Sequence, residues 1–305
     1  MNLDVLVAGE LYVDLILSGF DFWPQPGQEA FAREYRREIG GGAAITACGL
    51  ARLGTRAGVF GIAGADHHAW MESRFHEHGV DTTCLAIDPA EATAFTVAVS
   101  TPQDRAFFTY LGANRGFAKA FWEAAGSRRL ATRHVHLGYA PPWDTAADLF
   151  DAVRASGCTL SLDAGWHETW LADPRALTVL SKVDIFFPNE TEAARMTGES
   201  DPNRILRRFQ EAGCRAVALK LGANGAALLS NGSTFKAAPP AVTPVDTTGA
   251  GDCFDAGFLH SWMQGESPEN CVRAANICGA LSCEAYGGIA GFPSRERLAR
   301  ELERL

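Results

Sequence analysis

Asp246-Thr247-Thr248-Gly249-Ala250-Gly251-Asp252, running on into Cys253-Phe254-Asp255-Ala256-Gly257-Phe258, decides how this chain is read. A turn of threonine and glycine leads straight into a helix. Its small residues let backbone N–H groups come close to a ligand. At a helix start those groups lack intrahelical partners and sit at the positive end of the dipole. Such a turn suits a phosphoryl group that gathers negative charge during transfer. Asp252 falls in the first helical turn, where it can accept a proton from an attacking hydroxyl while the amides of Gly249, Ala250 and Gly251 hold the phosphoryl. The transition state of phosphoryl transfer is loose, so positioning counts for more than base strength. A lone aspartate after a glycine turn would be no more than a helix cap, and the rest of the chain has to carry the stronger reading.

Outward from that turn, the last third reads as helices over 250–264, 268–286 and 294–304. Upstream, Val5-Leu6-Val7-Ala8-Gly9 reads as a buried strand. Gly40 to Leu53 is a small-residue helix closed by Gly54, and Asp66 is placed to cap a helix running to Gly79. Cys158–Asp163, Val183–Phe187 and Ala216–Leu221 read as strands, Glu190–Thr197 and Arg204–Ala212 as helices. Leu228–Phe235, around Asn231-Gly232, reads as a hairpin. Strands alternating with helices imply an α/β chain with a mostly parallel sheet covered on both faces. Residues 28–39 and 93–111 break the pattern with alternating, aromatic-rich stretches, and Pro102-Gln103-Asp104 marks a turn between two of them. They are expected to form a small β-strand lid, contributed by about 14–39 and 92–115, on a single domain spanning 1–305.

Composition narrows the function. With 27 Lys and Arg against 36 Asp and Glu, the formal charge is −9, a poor match to nucleic acid or an anionic membrane. No apolar run approaches the length of a membrane helix, and Met1-Asn2-Leu3-Asp4-Val5 lacks a basic, apolar leader, so a cytoplasmic protein is expected. The eight cysteines show no Cys-x-x-Cys and read as reduced, mostly buried thiols. No Gly-x-Gly-x-x-Gly follows the first strand, which disfavours a dinucleotide-dependent oxidoreductase.

Asp246–Asp252 resembles the C-terminal signature of ribokinase-like kinases, also called the pfkB family. Gly40-Gly41-Gly42-Ala43-Ala44, continuing to Leu50-Ala51-Arg52-Leu53-Gly54, resembles the N-terminal one, about 200 residues earlier. The resemblance covers essentially the whole chain. It implies a three-layer ribokinase-like fold and ATP-dependent transfer to a hydroxyl of a sugar or polyol, with Mg2+ and possible K+ activation. It also implies Asp252 as base and the 249–251 amides as anion hole.

The same resemblance implies the remaining roles. Asp14, Gly41 and Gly42 would meet the acceptor, with Ile45, Asn114 and Asp163 at its edge. Asn189 and Glu192, in Pro188-Asn189-Glu190-Thr191-Glu192, would organise Mg2+ through water. Lys220, Gly222 and Gly225 would line the nucleotide loop, with Asn276 on the adenine side. Asp246 and Thr248 would belong to a monovalent-cation loop completed by carbonyls between Ala285 and Gly291.

The acceptor half departs from the family pattern. Ile45 stands where an asparagine often binds a sugar hydroxyl, so a hydroxyl facing it would lose a partner, at about 1–3 kcal/mol. Gly165 and His167 replace Asn and Arg in the stretch from Asp163 to Trp170, which argues against phosphosugar or sugar-acid acceptors. His167 is a substitute donor, and Arg115 is a further contact candidate. A nucleoside kinase of the same family, or a binding regulator without turnover, are the alternatives. Phe107, Phe108 and Tyr110 are expected to pack between the lids of a homodimer or to close over the ligand.

Overall fold

In the computed structural model, which describes residues 3–100, 105–127 and 130–304, strand β1 (Leu3–Gly9) feeds two cores at once. Val5 and Val7 point into one and Leu6 and Ala8 into the other, as the period of two requires. After β1 come β2 (Tyr12–Ser18), β3 (Glu34–Gly40), α1 (Gly42–Arg52), β4 (Ala57–Gly64), α2 (His68–Glu77), β5 (Asp81–Asp88), β6 (Phe95–Ser100) and β7 (Arg105–Tyr110). A 3-10 turn over Gly112–Gly116 leads to α3 (Phe117–Gly126), β8 (Thr132–Gly138), α4 (Trp143–Ala155), β9 (Thr159–Leu162), α5 (Glu168–Leu171), α6 (Arg175–Leu180), β10 (Ile185–Phe186), α7 (Glu190–Thr197) and α8 (Pro202–Glu211). The chain continues through β11 (Ala216–Lys220), a 3-10 turn over Gly222–Asn224, β12 (Ala226–Ser230), β13 (Ser233–Ala237), α9 (Ala250–Met263), α10 (Pro268–Ser282) and α11 (Arg295–Arg304).

Among the described residues, nine strands form one sheet in the order β13-β12-β11-β10-β9-β8-β1-β4-β5. It is parallel from β5 to β11, and only the β11–β12 and β12–β13 pairs are antiparallel. Helices α1, α2, α9 and α10 cover one face, and α3, α4 and α8 the other. A second sheet of four strands, β3-β2-β6-β7, stands apart from the large one. The α/β architecture with a mostly parallel sheet is therefore as the alternation implied. In such sheets ligands gather beyond the carboxyl ends of the strands. Here Asp163, Asn189 and Lys220 all lie at such ends, after β9, after β10 and at the end of β11.

Several local expectations need correction. Asp66 does not cap α2. His67 precedes that helix without a capping side chain, and Asp66 instead accepts from the Thr93 amide at 2.9 Å and the Thr93 hydroxyl at 2.6 Å, tying down the approach to β6. Strand β3 begins only at Glu34, and β10 is two residues long because Pro188 and the α7 cap interrupt it. Helix α10 stops at Ser282 rather than 286, where a Gly-rich loop begins. The expected turn at Pro102–Asp104 lies outside the described residues. All eight cysteines are free, and seven of them are buried. No helix among the described residues is long and apolar enough to cross a membrane.

Candidate active site

Two helix starts meet at Asp252. Gly249 takes φ 72° at the head of α9, a left-handed conformation that a side chain would strain, and no side chain caps that end. The Ala250 amide donates to the Thr247 carbonyl at 3.2 Å, and no side chain occupies the amides that follow it. Gly41 takes φ 93° at the head of α1, where a Cβ would stand 2.5 Å from the Glu10 carbonyl oxygen. A Cβ on Gly42 would stand 2.4 Å from Asp252 Oδ1, so only glycine lets the two helix starts approach this closely. The Thr46 hydroxyl donates to the Asp252 carbonyl at 3.2 Å and fixes the crossing. Burial pushes the Asp252 carboxyl up to about 7, reinforced by the Asp163 charge and opposed by Lys220. A base poised near neutral pH suits proton abstraction from a hydroxyl.

Lys220 comes up from the end of β11 beside this turn. Its ammonium donates to Asp163 Oδ2 at 2.7 Å and to Asp255 Oδ1 at 3.0 Å. A Cβ on Gly251 would lie 3.4 Å from Lys220 Nζ, which places the cation directly behind the amide turn. Burial would lower the Lys220 pKa, but the two carboxylates outweigh it and hold it well above its usual value. Burial likewise pushes Asp163 up, yet Lys220 and its hydrogen bonds bring it down to about 2. Asp163 also accepts from the Gly165 amide at 2.9 Å, so it is engaged with the site's own cation and loop.

Asp14 lies in β2 opposite Glu38, its carboxyl laid across Gly40, where a Cβ would be only 2.1 Å away. Burial, with the Glu38 charge, raises it to about 6. Asn189 and Glu192 form a reciprocal cap at the head of α7. The Asn189 side chain accepts from the Glu192 amide and Glu192 Oε2 from the Asn189 amide, each at 2.9 Å. Glu192 Oε1 is not used by the cap, and burial and Asp163 raise this carboxyl. Gly222 at φ 56° and Gly225 at φ 84° shape the turn after β11, and a Cβ on Gly225 would strike the Ala237 carbonyl oxygen at 2.1 Å. Asn276 donates to that same carbonyl at 2.7 Å from α10. Asp246 accepts from the Thr248 amide and hydroxyl through one oxygen and from the Gly287 amide through the other.

Other expected contacts are committed to the fold. Asn114 pairs both ends with Leu11, accepting from its amide at 3.2 Å and donating to its carbonyl at 2.9 Å. Ile45 packs against the glycine turn itself: Cβ atoms on Gly249 and Gly288 would each come within 2.7 Å of its Cδ1. His167 caps α5 through Nδ1, and Arg115 pairs with Glu91 over the ring of Tyr110.

Asp255 is the residue that sequence reasoning passed over. It lies in the quoted stretch, three residues after Asp252, among apolar neighbours. A carboxylate in a helix buried on all sides must find a partner, and Lys220, already singled out, was the available cation. His136 and His134 were also passed over. Both are buried, and both share the Ser161 hydroxyl at 2.8 Å.

The model of the pfkB family carbohydrate kinases matches residues 2–295. An ATP-dependent ribose-1-phosphate kinase of Halopiger xanaduensis is 34% identical over 286 residues, covering 93% of each chain. The structure of Arabidopsis thaliana ribokinase complexed with ribose and ATP superposes with a TM-score of 0.84 at 26% identity, covering 99% of both chains. An E. coli protein described as a putative ribokinase II, complexed with ATP and Mg2+, superposes with a TM-score of 0.83 at 26% identity, again covering 99% of both. The family model spans nearly the whole chain, and the chain belongs to the pfkB family of carbohydrate kinases.

Proposed function

We propose that this chain transfers the γ-phosphoryl group of ATP to a hydroxyl of a small sugar or polyol. The observation that carries the reading is the placement of the Asp252 carboxylate between the heads of α1 and α9, against Gly42 and beside a helix start that no side chain caps. In this reading Asp252 takes the proton of the attacking hydroxyl. The amides of Gly249, Ala250 and Gly251 hold the phosphoryl as its charge develops, in a site where preorganised donors act strongly. Asp14 accepts hydrogen bonds from acceptor hydroxyls, and Gly41 and Gly42 let the acceptor lie against backbone. The nucleotide lies along the turn at Gly222 and Gly225, with Lys220 at its phosphates and Asn276 fixing the end of β13.

Asn189 and Glu192 fit Mg2+ only through water, because each gives one side-chain oxygen to the α7 cap while Glu192 keeps Oε1. That arrangement suits an ion that retains most of its waters. When bound, Mg2+ supplies charge neutralisation across the phosphates. A K+ ion would rest mainly on the carbonyls between Ala285 and Gly291, since both Asp246 oxygens already brace the turn. Replacing K+ by Na+ in the assay tests it. The small sheet is read as a lid on a single domain, and exposed Tyr35, Phe107 and Phe108 mark it as a face for a second copy.

A panel of ribose, fructose, a polyol, ribose 1-phosphate, adenosine and inosine, scored by ADP release, tests the function. Turnover of a free sugar or polyol is expected. Turnover confined to nucleosides, or saturable binding without ADP release, would overturn it. The Halopiger relative favours ribose 1-phosphate as a second reading. Against it, the family's arginine is replaced in the loop at Gly165 by His167, which is engaged in the α5 cap.

A further inference from the structure

Asp255 lies one helical turn beyond Asp252, in a stretch of α9 that is buried from Cys253 to Ser261. Its Oδ1 accepts from Lys220 at 3.0 Å. Its Oδ2 has no hydrogen-bond partner among the described residues and lies 3.9 Å from His136 Nε2. Behind it the ring of His136 is held through Nδ1 by Ser161, and Ser161 also meets His134, which is held in turn by the Thr159 hydroxyl at 2.8 Å. A bare helix wall would have been better served by an apolar residue at 255, since a buried ion pair often stabilises less than apolar packing of the same volume, and perturbed buried carboxyls cluster at functional sites.

Lys220 shows what that pairing does. An ammonium has three donors. Two are taken, by Asp163 from the end of β9 and by Asp255 from α9. Two carboxyl groups on different elements fix the direction of the third, and the flank of the ammonium lies against Gly251. Phe187, 6.0 Å from Nζ, closes another side. With Asp163 alone, the four-carbon stem of lysine would leave the cation free to swing about one contact.

We propose that Asp255 is a positioning residue for phosphoryl transfer: with Asp163 it clamps the Lys220 ammonium beside Gly251, so that the third N–H meets the transferring phosphoryl from behind the amide turn. This rests on reading the Asp246–Asp252 turn as the phosphoryl site. Asp255 itself touches neither substrate, and its effect runs through Lys220.

A double-mutant cycle in the full-length chain tests this, with kcat and the KM for ATP measured for the wild type, Asp255→Asn, Lys220→Met and the double variant. Losing one preorganised donor to the transferring group costs about 10²–10³ in kcat, so Lys220→Met is expected to fall by that factor. Asp255→Asn is expected to lower kcat at least about tenfold with the ATP KM changed less than about threefold, the signature of an interaction made in the transition state. The double variant is expected to be no worse than Lys220→Met, because contacting residues are coupled. Fully additive losses would overturn the proposal, as would an Asp255→Asn variant of lowered Tm and unchanged kcat. If Lys220→Met does not fold, the split between kcat and KM in Asp255→Asn decides alone, with Asp255→Ser replacing it if Asn fails to fold. Asp252→Asn run in parallel separates the two levels. Near-normal turnover there would remove the phosphoryl site itself, whereas an inactive Asp252→Asn beside an unaffected Asp255→Asn would remove only the clamp.

Discussion

The surroundings of Asp252 and the small sheet are held in opposite ways. Around Asp252, polar groups are tied across elements: Thr46 from α1 to the Asp252 carbonyl, Asp163 and Asp255 to Lys220, Asp246 to the loop at Gly287. The small sheet is anchored mainly at its base, where Glu38 takes two contacts from Arg74 and Arg37 lies 4.4 Å over the ring of Trp70. Further out it presents Tyr35, Phe107 and Phe108 to solvent, each more than half exposed. One region is cross-tied between elements, while the outer part of the other is exposed. Perturbations should therefore cost much more at the first than at the second.

The largest effect short of removing the base should come from Gly249→Ala. A side chain there would adopt a strained φ of 72° and meet Ile45 at 2.7 Å. Disturbing the amide turn is expected to cost about 10²-fold or more in kcat, with ATP binding by calorimetry less affected. A normal kcat after this substitution would show that these amides do not hold the phosphoryl. Next comes Asp14→Ala, which should raise the acceptor KM by about 10- to 100-fold for loss of a charged hydrogen-bonding partner and leave the ATP KM unchanged. An altered ATP KM with an unaltered acceptor KM would put Asp14 on the wrong side of the site.

The pH profile sharpens the same contrast. Asp252, raised to about 7 by burial, and Asp14, raised to about 6 by burial and Glu38, must both be ionised to accept hydrogens. The rate constant kcat/KM should fall below pH 7 and steepen below pH 6, and Asp14→Asn should abolish the steepening. Stability runs the other way. A carboxyl whose folded pKa is raised contributes fully below its unfolded pKa, and that contribution is lost as pH rises through the folded value. Asp252→Asn should therefore melt above the wild type at pH 8 and level with it at pH 4. The smallest effect is expected from Phe107→Ser with Phe108→Ser. It should leave kcat within a fewfold of the wild type and lower the mass seen by light scattering if the small sheet pairs two copies.

Much of this was legible in the chain because the relevant signals are local. A glycine turn followed by a helix, an Asn-x-x-Glu cap and an Asn-Gly hairpin each declare themselves within a few residues. They account for α9, α7 and the β12–β13 pair. What stayed hidden depends on contacts between distant elements. Ile45 reads as a gap in an acceptor site, yet in space it fills the notch between Gly249 and Gly288. Asn114 reads as a hydroxyl contact, yet both its polar ends are given to Leu11, 103 residues away. Asp255 reads as one more residue of a helix until Lys220, 35 residues earlier, is seen to reach it. The sequence states which groups exist, while packing decides which of them are still free to act.

Asp252→Asn offers the most direct test of the account. The substitution keeps the shape that faces Gly42 and removes the negative charge and the capacity to take a proton. Single-turnover transfer from ATP to the best acceptor of the panel is expected to fall by about 10³-fold, within the usual share of a general base that also orients the hydroxyl. ATP and acceptor should still bind with near wild-type affinity. Transfer within tenfold of the wild type would contradict the assignment of Asp252 and with it the chemistry built around the meeting of the two helix starts.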